Sequence, residues 1–210
     1  MPQITDIRPQ KRRQRFNIYL DGKFGFALPA EALAKAGLKI DQVLSNKEIQ
    51  QLIKENEFSK VYDRVLKFLS FRPRSEKELS DWFTKKQVGE ETKKLVWKKL
   101  QSLGYINNEE FAKWWIEQRM TFRPMGKYAI ARELKQKSVS SHLISQYLNI
   151  LVSKSSEYDL AKKAAEKKMK VYKNLPSLEF RQKLSAFLAR RGFSWETIGE
   201  VVNSFLHKKY

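Results

Sequence analysis

The 210-residue chain is 41% hydrophobic, enough to bury a core spread over more than one small unit, and its 42 Lys and Arg against 23 Asp and Glu give a formal charge of +19. An excess of that size points to a polyanionic partner, a nucleic acid or an acidic protein groove. The lack of cysteine excludes disulfides, zinc-thiolate sites and thiol nucleophiles, and with no apolar span of roughly 20 residues or leader-like segment in the sequence, the expected location is the cytoplasm.

From the N-terminus, Phe16, Ile18 and Leu20 alternate with more polar positions, Asp21-Gly22 supplies a turn, and Phe24, Phe26 and Leu28 alternate again. That is the pattern of a two-residue β-hairpin. Ile4 to Arg8 is a candidate third strand, needed because a lone hairpin is marginal. Pro29 opens a short helix through Ala36, Gly37 ends it, and Ser45-Asn-Lys-Glu48 forms a capping box for a second helix to about Asn56. From Phe58 onward the period is helical. Phe58, Val61, Val65 and Leu69 make one stripe. Leu79, Trp82 and Phe83 face inward on a helix capped by Ser75, and Val96, Leu100 and Leu103 line a third that stops at Gly104.

A second set of three helices follows. Asn107 caps the first, with Phe111, Ala112, Trp115, Ile116 and Arg119 along one face; Gly126 to Lys137 carries Ile130 and Leu134; Ser140 caps the last, with Leu143, Ile144, Tyr147, Leu148 and Leu151 on one face. A third set is expected near Tyr158 to Tyr172, Ser177 to Arg191 and Ser194 to His207. Its first helix has only a thin apolar stripe of Ala161, Ala164, Ala165 and Met169, from which loose packing and a hinge at 153–156 are expected. Trp82, Trp97 and Trp195 are expected in packing. Of the adjacent Trp114 and Trp115, one is assigned to the core and the other to a rim or an exposed anchor, because neighbours on a helix point about 100° apart.

These sets repeat. Phe-Arg-Pro at 71–73 recurs at 122–124, and the same offset of 51 carries Leu79 onto Ile130, Phe83 onto Leu134, Lys86 onto Lys137 and Val88 onto Val139. A shift of 54 continues the series to Leu184, Leu188, Arg191 and Phe193. The expected fold is therefore mainly α. It is a tandem array of three three-helix units (58–106, 107–153 and 154–210), elongated and curved, behind a small antiparallel sheet module at 1–57. Such an array presents an extended surface and not one deep pocket.

Candidate function lies in the cations. Between Gln118 and Ser156, seven basic residues (Arg119, Arg123, Lys127, Arg132, Lys135, Lys137 and Lys154) face one acid, Glu133, a net +6. Because Ile130 and Leu134 point inward, Arg132 and Lys135 project outward. Lys127 occupies the first turn, where the helix dipole disfavours a cation. Further binding candidates are Arg72 and Arg74, Lys162, Lys163 and Lys167 on the Lys-rich helix, and Arg190 and Arg191. The plain alternative is that these charges are solvated, and that Arg72 and Arg123 satisfy carbonyls or pair with a neighbouring Glu. His142 and His207 have no companion ligands, and there is no paired-carboxylate, phosphate-loop or nucleophile–base pattern. No metal, cofactor or catalysis is expected.

The runs Arg72-Pro-Arg-Ser-Glu-Lys-Glu-Leu79, Leu103-Gly-Tyr-Ile-Asn-Asn-Glu-Glu-Phe-Ala112 and Gly126-Lys-Tyr-Ala-Ile-Ala-Arg-Glu-Leu134 resemble the RecX family of regulators of the RecA recombinase. The resemblance covers about Phe58 to the C-terminus, and the segment to Glu57 is similar to the N-terminal extension of the Gram-positive members. Ser138 departs from the pattern, which has glycine between the lysine and Ile or Val. The resemblance implies a non-enzymatic protein that lodges in the groove of the RecA–DNA filament, spans neighbouring protomers, and lowers ATP hydrolysis and strand exchange in recombination, DNA repair and the SOS response. A monomer is expected, with single- and double-stranded DNA as auxiliary partners. Charge alone is equally met by a basic module that binds DNA or RNA without a recombinase.

Overall fold

Asp21 and Gly22 both have positive φ, 48° and 78°, the backbone that a two-residue turn needs to match the twist of its strands. Around it β2 (Arg15–Leu20) and β3 (Lys23–Pro29) pair antiparallel, and β1 (Ile4–Pro9) adds to the far side of β2. The computed structural model describes residues 1–11, 14–152, 154–172 and 174–209, with only the backbone of 154–156, 208 and 209. The alternation expected in β3 breaks at Phe24. Ile18 lies opposite Phe26 but Tyr19 lies opposite Phe24, so Gly25 is the extra residue of a bulge. Phe24 is thereby turned to the other face, 60% exposed and edge-on to the Tyr19 ring.

Helix α1 (Ala30–Ala36) follows Pro29 and ends at Gly37, φ 60°. The capping box at Ser45 starts α2 (Asn46–Leu69), which runs on for 24 residues. Two helices meeting near Asn56 are expected from the sequence, and the structure has one. Asn56, a weak helix former, is buried and accepts a hydrogen bond from the Arg15 guanidinium, which also donates to the Ala27 carbonyl at 3.1 Å. This tertiary contact outweighs a local propensity deficit of at most about 0.7 kcal/mol. The expected division between 57 and 58 thus falls inside a continuous helix.

The chain forms two compact units. The first comprises residues 1–72 and 83–105. Its sheet, α1 and the start of α2 enclose Ile4, Ile18, Phe26, Leu28, Leu44 and Leu52. Further along, α2 packs on α4 (Glu90–Ser102), with Val61, Val65, Val96 and Leu100 buried and Lys54 Nζ 2.8 Å from Glu91 Oε1. Leu103, expected on the inward stripe, lies past the last turn of α4 and is 49% exposed.

The second unit comprises residues 73–82 and 106–210. It holds the head of α3 (Glu76–Lys85) and all of α5 (Asn108–Thr121), α6 (Lys127–Gln136), α7 (Ser141–Leu151), α8 (Lys154–Tyr172), α9 (Ser177–Arg190) and α10 (Trp195–Lys209). One apolar core runs through α5 to α10. Asn107 caps α5 by accepting from the amides of Glu109 and Glu110, and Ser140 caps α7 through the Leu143 amide. Trp114 and Trp115 are both partly buried against this core. Trp195, expected in packing, is 73% exposed at the first residue of α10, outside the buried stripe of Ile198, Val201, Val202 and Phe205.

Helix α8 is held more closely than its composition suggests. Ala161, Ala164 and Ala165 are buried, with Leu160 beside them, and α8 contacts both α9 and α10. Small side chains at a helix contact let the axes approach, so a stripe of alanines can be covered completely. The hinge expected at 153–156 lies outside the described residues at Ser153, as do the side chains of 154–156.

The repeat register reappears in the backbone. Gln87, Ser138 and Gly192, related by the offsets 51 and 54, have φ of 52°, 59° and 79°. In each case the following amide bonds back to the end of the preceding helix: Val88 to Phe83 O, Val139 to Leu134 O, Phe193 to Leu188 O. These are three copies of one left-handed helix stop with an apolar residue behind it. Ser138 keeps the left-handed conformation despite its β-carbon.

Candidate functional site

In α6, residue spacing sorts the side chains. Ala129, Ile130 and Leu134 are buried, whereas Tyr128, Arg132 and Lys135, at i, i+4 and i+7, form one exposed stripe. The first turn carries Lys127 and no acid, so the positive end of the helix dipole adds to the field of the side chains. Glu133 is turned away into a network. It accepts from Arg119 Nε at 2.6 Å and from Trp115 Nε1 at 2.8 Å, and the Arg119 guanidinium lies 4.3 Å from the Trp115 ring centre. Lys137 closes the same cluster, 2.6 Å from Glu78 Oε1 at the head of α3 and 5.6 Å from the Trp115 ring.

This arrangement divides the candidate residues. Arg119 and Lys137 sit in internal ion pairs. Arg191 donates to the Pro124 carbonyl at 3.2 Å and covers the Phe187 ring at 5.1 Å; burial, then the nearby Arg123 charge, pushes its pKa down. Arg132 and Lys135 share the open stripe, Arg123 is exposed just beyond α5, and Lys127 is half-buried between them in sequence. Lys163 and Lys167 are exposed one turn apart on α8 with Lys162 half-buried, and Arg190 is exposed at the end of α9. Arg74, leading into α3, is half-buried, as is Arg72 at the edge of the first unit. The side chain of Lys154 lies outside the described residues.

What presents the stripe is a backbone joint. The Gly126 amide donates to Arg191 O at 2.9 Å and the Tyr128 amide to Gly192 O at 3.2 Å. A β-carbon on Gly126 would sit 2.1 Å from Gly192 O, and one on Gly192 would sit 2.3 Å from the Ala129 nitrogen. Only glycine at both positions lets the start of α6 rest on the α9–α10 turn. Elsewhere in the unit α5 is braced to α7: Glu109 accepts from Lys113 at 2.8 Å and from the Tyr147 hydroxyl at 2.5 Å. Those bonds, Lys113 first, hold the Glu109 carboxyl below its usual range, while Glu109 pushes the Tyr147 hydroxyl up.

Two features were not singled out from the sequence. Tyr128 stands four residues before Arg132, and that spacing was the available signal. The Gly126–Gly192 contact joins residues 66 positions apart in the chain, and no local pattern announces it. Among the described residues no cluster of three His, Cys, Asp or Glu is placed to hold a metal, and no helix is long and apolar enough to cross a membrane.

Three family models match the chain: the regulatory protein RecX N-terminal domain over 2–45, the RecX second three-helix domain over 107–148 and the RecX third three-helix domain over 155–202. The regulatory protein RecX of Clostridium perfringens (strain SM101 / Type A) is 32% identical over 213 residues, covering 100% of this chain and 99% of that protein. That of Bacillus subtilis (strain 168) is 32% identical over 204 residues, covering 97% and 77%. A crystal structure of regulatory protein RecX superposes with a TM-score of 0.70 at 28% identity, covering 97% of this chain and 100% of that one. RecX from Lactobacillus salivarius superposes at 0.60 with 23% identity over 71% of this chain, a likeness of fold.

Proposed function

Because the chain belongs to the RecX family, we propose that it is a non-enzymatic regulator that docks on the RecA–DNA filament and lowers ATP hydrolysis and strand exchange. The observation that carries this reading is the open stripe of α6. Arg132 and Lys135 face solvent while Glu133, the acid within α6, is turned inward onto Arg119 and Trp115. A surface so arranged has cations free for an outside partner. Arg123 and Lys127 flank the stripe, and Lys163, Lys167 and Arg190 add exposed positive charge on α8 and α9. The protein acts as a cytoplasmic monomer that spans neighbouring recombinase protomers, with DNA contact as a supplement.

The test is the double variant Arg132→Glu/Lys135→Glu. Surface charge changes away from cores and caps cost under about 0.5 kcal/mol, so the helical circular dichroism should be unchanged. The concentration needed to inhibit the single-stranded-DNA-dependent ATPase of RecA should rise about tenfold, equivalent to about 1.4 kcal/mol shared by two reversed charges. Undiminished inhibition by the double variant would reduce the stripe to solvation.

A further inference from the structure

We infer that the outer stripe of α6 is a site for single-stranded DNA in which Tyr128 stacks on an unpaired base while Arg132 and Lys135 take the flanking phosphates. This deepens, and rests on, the reading of that stripe as a binding face. Three observations carry it. First, Tyr128 is 70% exposed and therefore contributes little to the core, yet it shares a stripe with two cations and no acid. A helix rise of about 1.5 Å per residue places Arg132 about 6 Å and Lys135 about 10.5 Å along the axis from it, within reach of neighbouring phosphates of one strand.

Second, the aromatic is presented on a fixed backbone. The Tyr128 amide is tied to Gly192 O, the Gly126 amide to Arg191 O, and Arg191 reaches back to the Pro124 carbonyl. A ring whose backbone is already ordered loses less entropy on binding than one on a free loop. Third, a second exposed ring stands close by in sequence. Phe122, just past α5, is 70% exposed and is followed by the exposed Arg123. Its repeat counterpart Phe71 is 73% exposed and is also followed by arginine, so in both repeats the Phe of Phe-Arg-Pro faces solvent and not the core.

The pairing of open aromatic faces with cations selects the occupant. A duplex would use the cations and leave the rings idle, because its bases are already stacked. An acidic peptide would likewise meet only the charge. A single strand satisfies both, with phosphates on the cations and a base face on the ring.

The experiment measures fluorescence anisotropy of the full-length protein with an oligothymidylate, an abasic oligodeoxynucleotide of equal length, and a duplex, all at one salt concentration. The abasic strand retains every phosphate and lacks every base. The wild type should bind oligothymidylate about tenfold more tightly than the abasic strand, since stacking one base on an aromatic ring has about that worth. Tyr128→Phe should keep the preference, and Tyr128→Leu should bring the ratio close to one. Equal binding of the two strands by the wild type, a preference that survives in Tyr128→Leu, or duplex binding as tight as oligothymidylate binding would each overturn the inference. Base preference without any effect on the recombinase would support the stacking site and sink the filament reading; inhibition without base preference would do the reverse.

Discussion

Single residues decide how closely each repeat follows the common pattern. Gln87, Ser138 and Gly192 hold equivalent helix stops, but only one is the residue best suited to positive φ. A β-carbon in the left-handed region costs about 1 kcal/mol relative to glycine. Ser138→Gly should therefore raise the unfolding free energy by about 1 kcal/mol in urea denaturation without altering the slope; no change or a loss would mean that the Ser138 side chain has a compensating role. At this scale much was legible. The caps at Ser45, Ser75, Asn107 and Ser140 rest on short-range hydrogen bonds that local sequence specifies. Arg191 was not legible as a structural residue, because the carbonyl it donates to, that of Pro124, lies 67 residues earlier in the chain.

At the level of elements, periodicity located the helices and failed where distant contacts override local preference. Helix α2 continues through Asn56 because Arg15, on a strand, supplies the missing partner. Helix α8 is buried along its alanines because α9 and α10 close over them. The joint between the start of α6 and the α9–α10 turn is of the same kind. Since a methyl on Gly126 would lie 2.1 Å from Gly192 O, the two elements must separate to admit it. Gly126→Ala should destabilise the protein by on the order of 2 to 3 kcal/mol, as overpacking of a closed contact typically does. Chemical denaturation measures this directly. A cost below about 0.5 kcal/mol would show that the joint yields freely and does not fix α6.

For the molecule as a whole, +19 announces a polyanionic partner but does not choose between a nucleic acid and a protein–nucleic acid filament. The structure narrows which cations are available, since Arg119, Lys137 and Arg191 are committed internally while Arg132 and Lys135 remain open. Charge counting along the chain could not make that distinction, because it depends on which acid faces which base across helices. Under the proposed function the recombinase filament binds this protein more tightly than its DNA alone. The most direct measurement is equilibrium binding to RecA-coated single-stranded DNA and to the same DNA bare, over a series of salt concentrations. Binding by charge alone falls linearly in log affinity against log salt with a slope set by the phosphates engaged. The filament should bind more tightly than bare DNA at every salt concentration and with a shallower slope; identical slopes and affinities on the two would contradict the account.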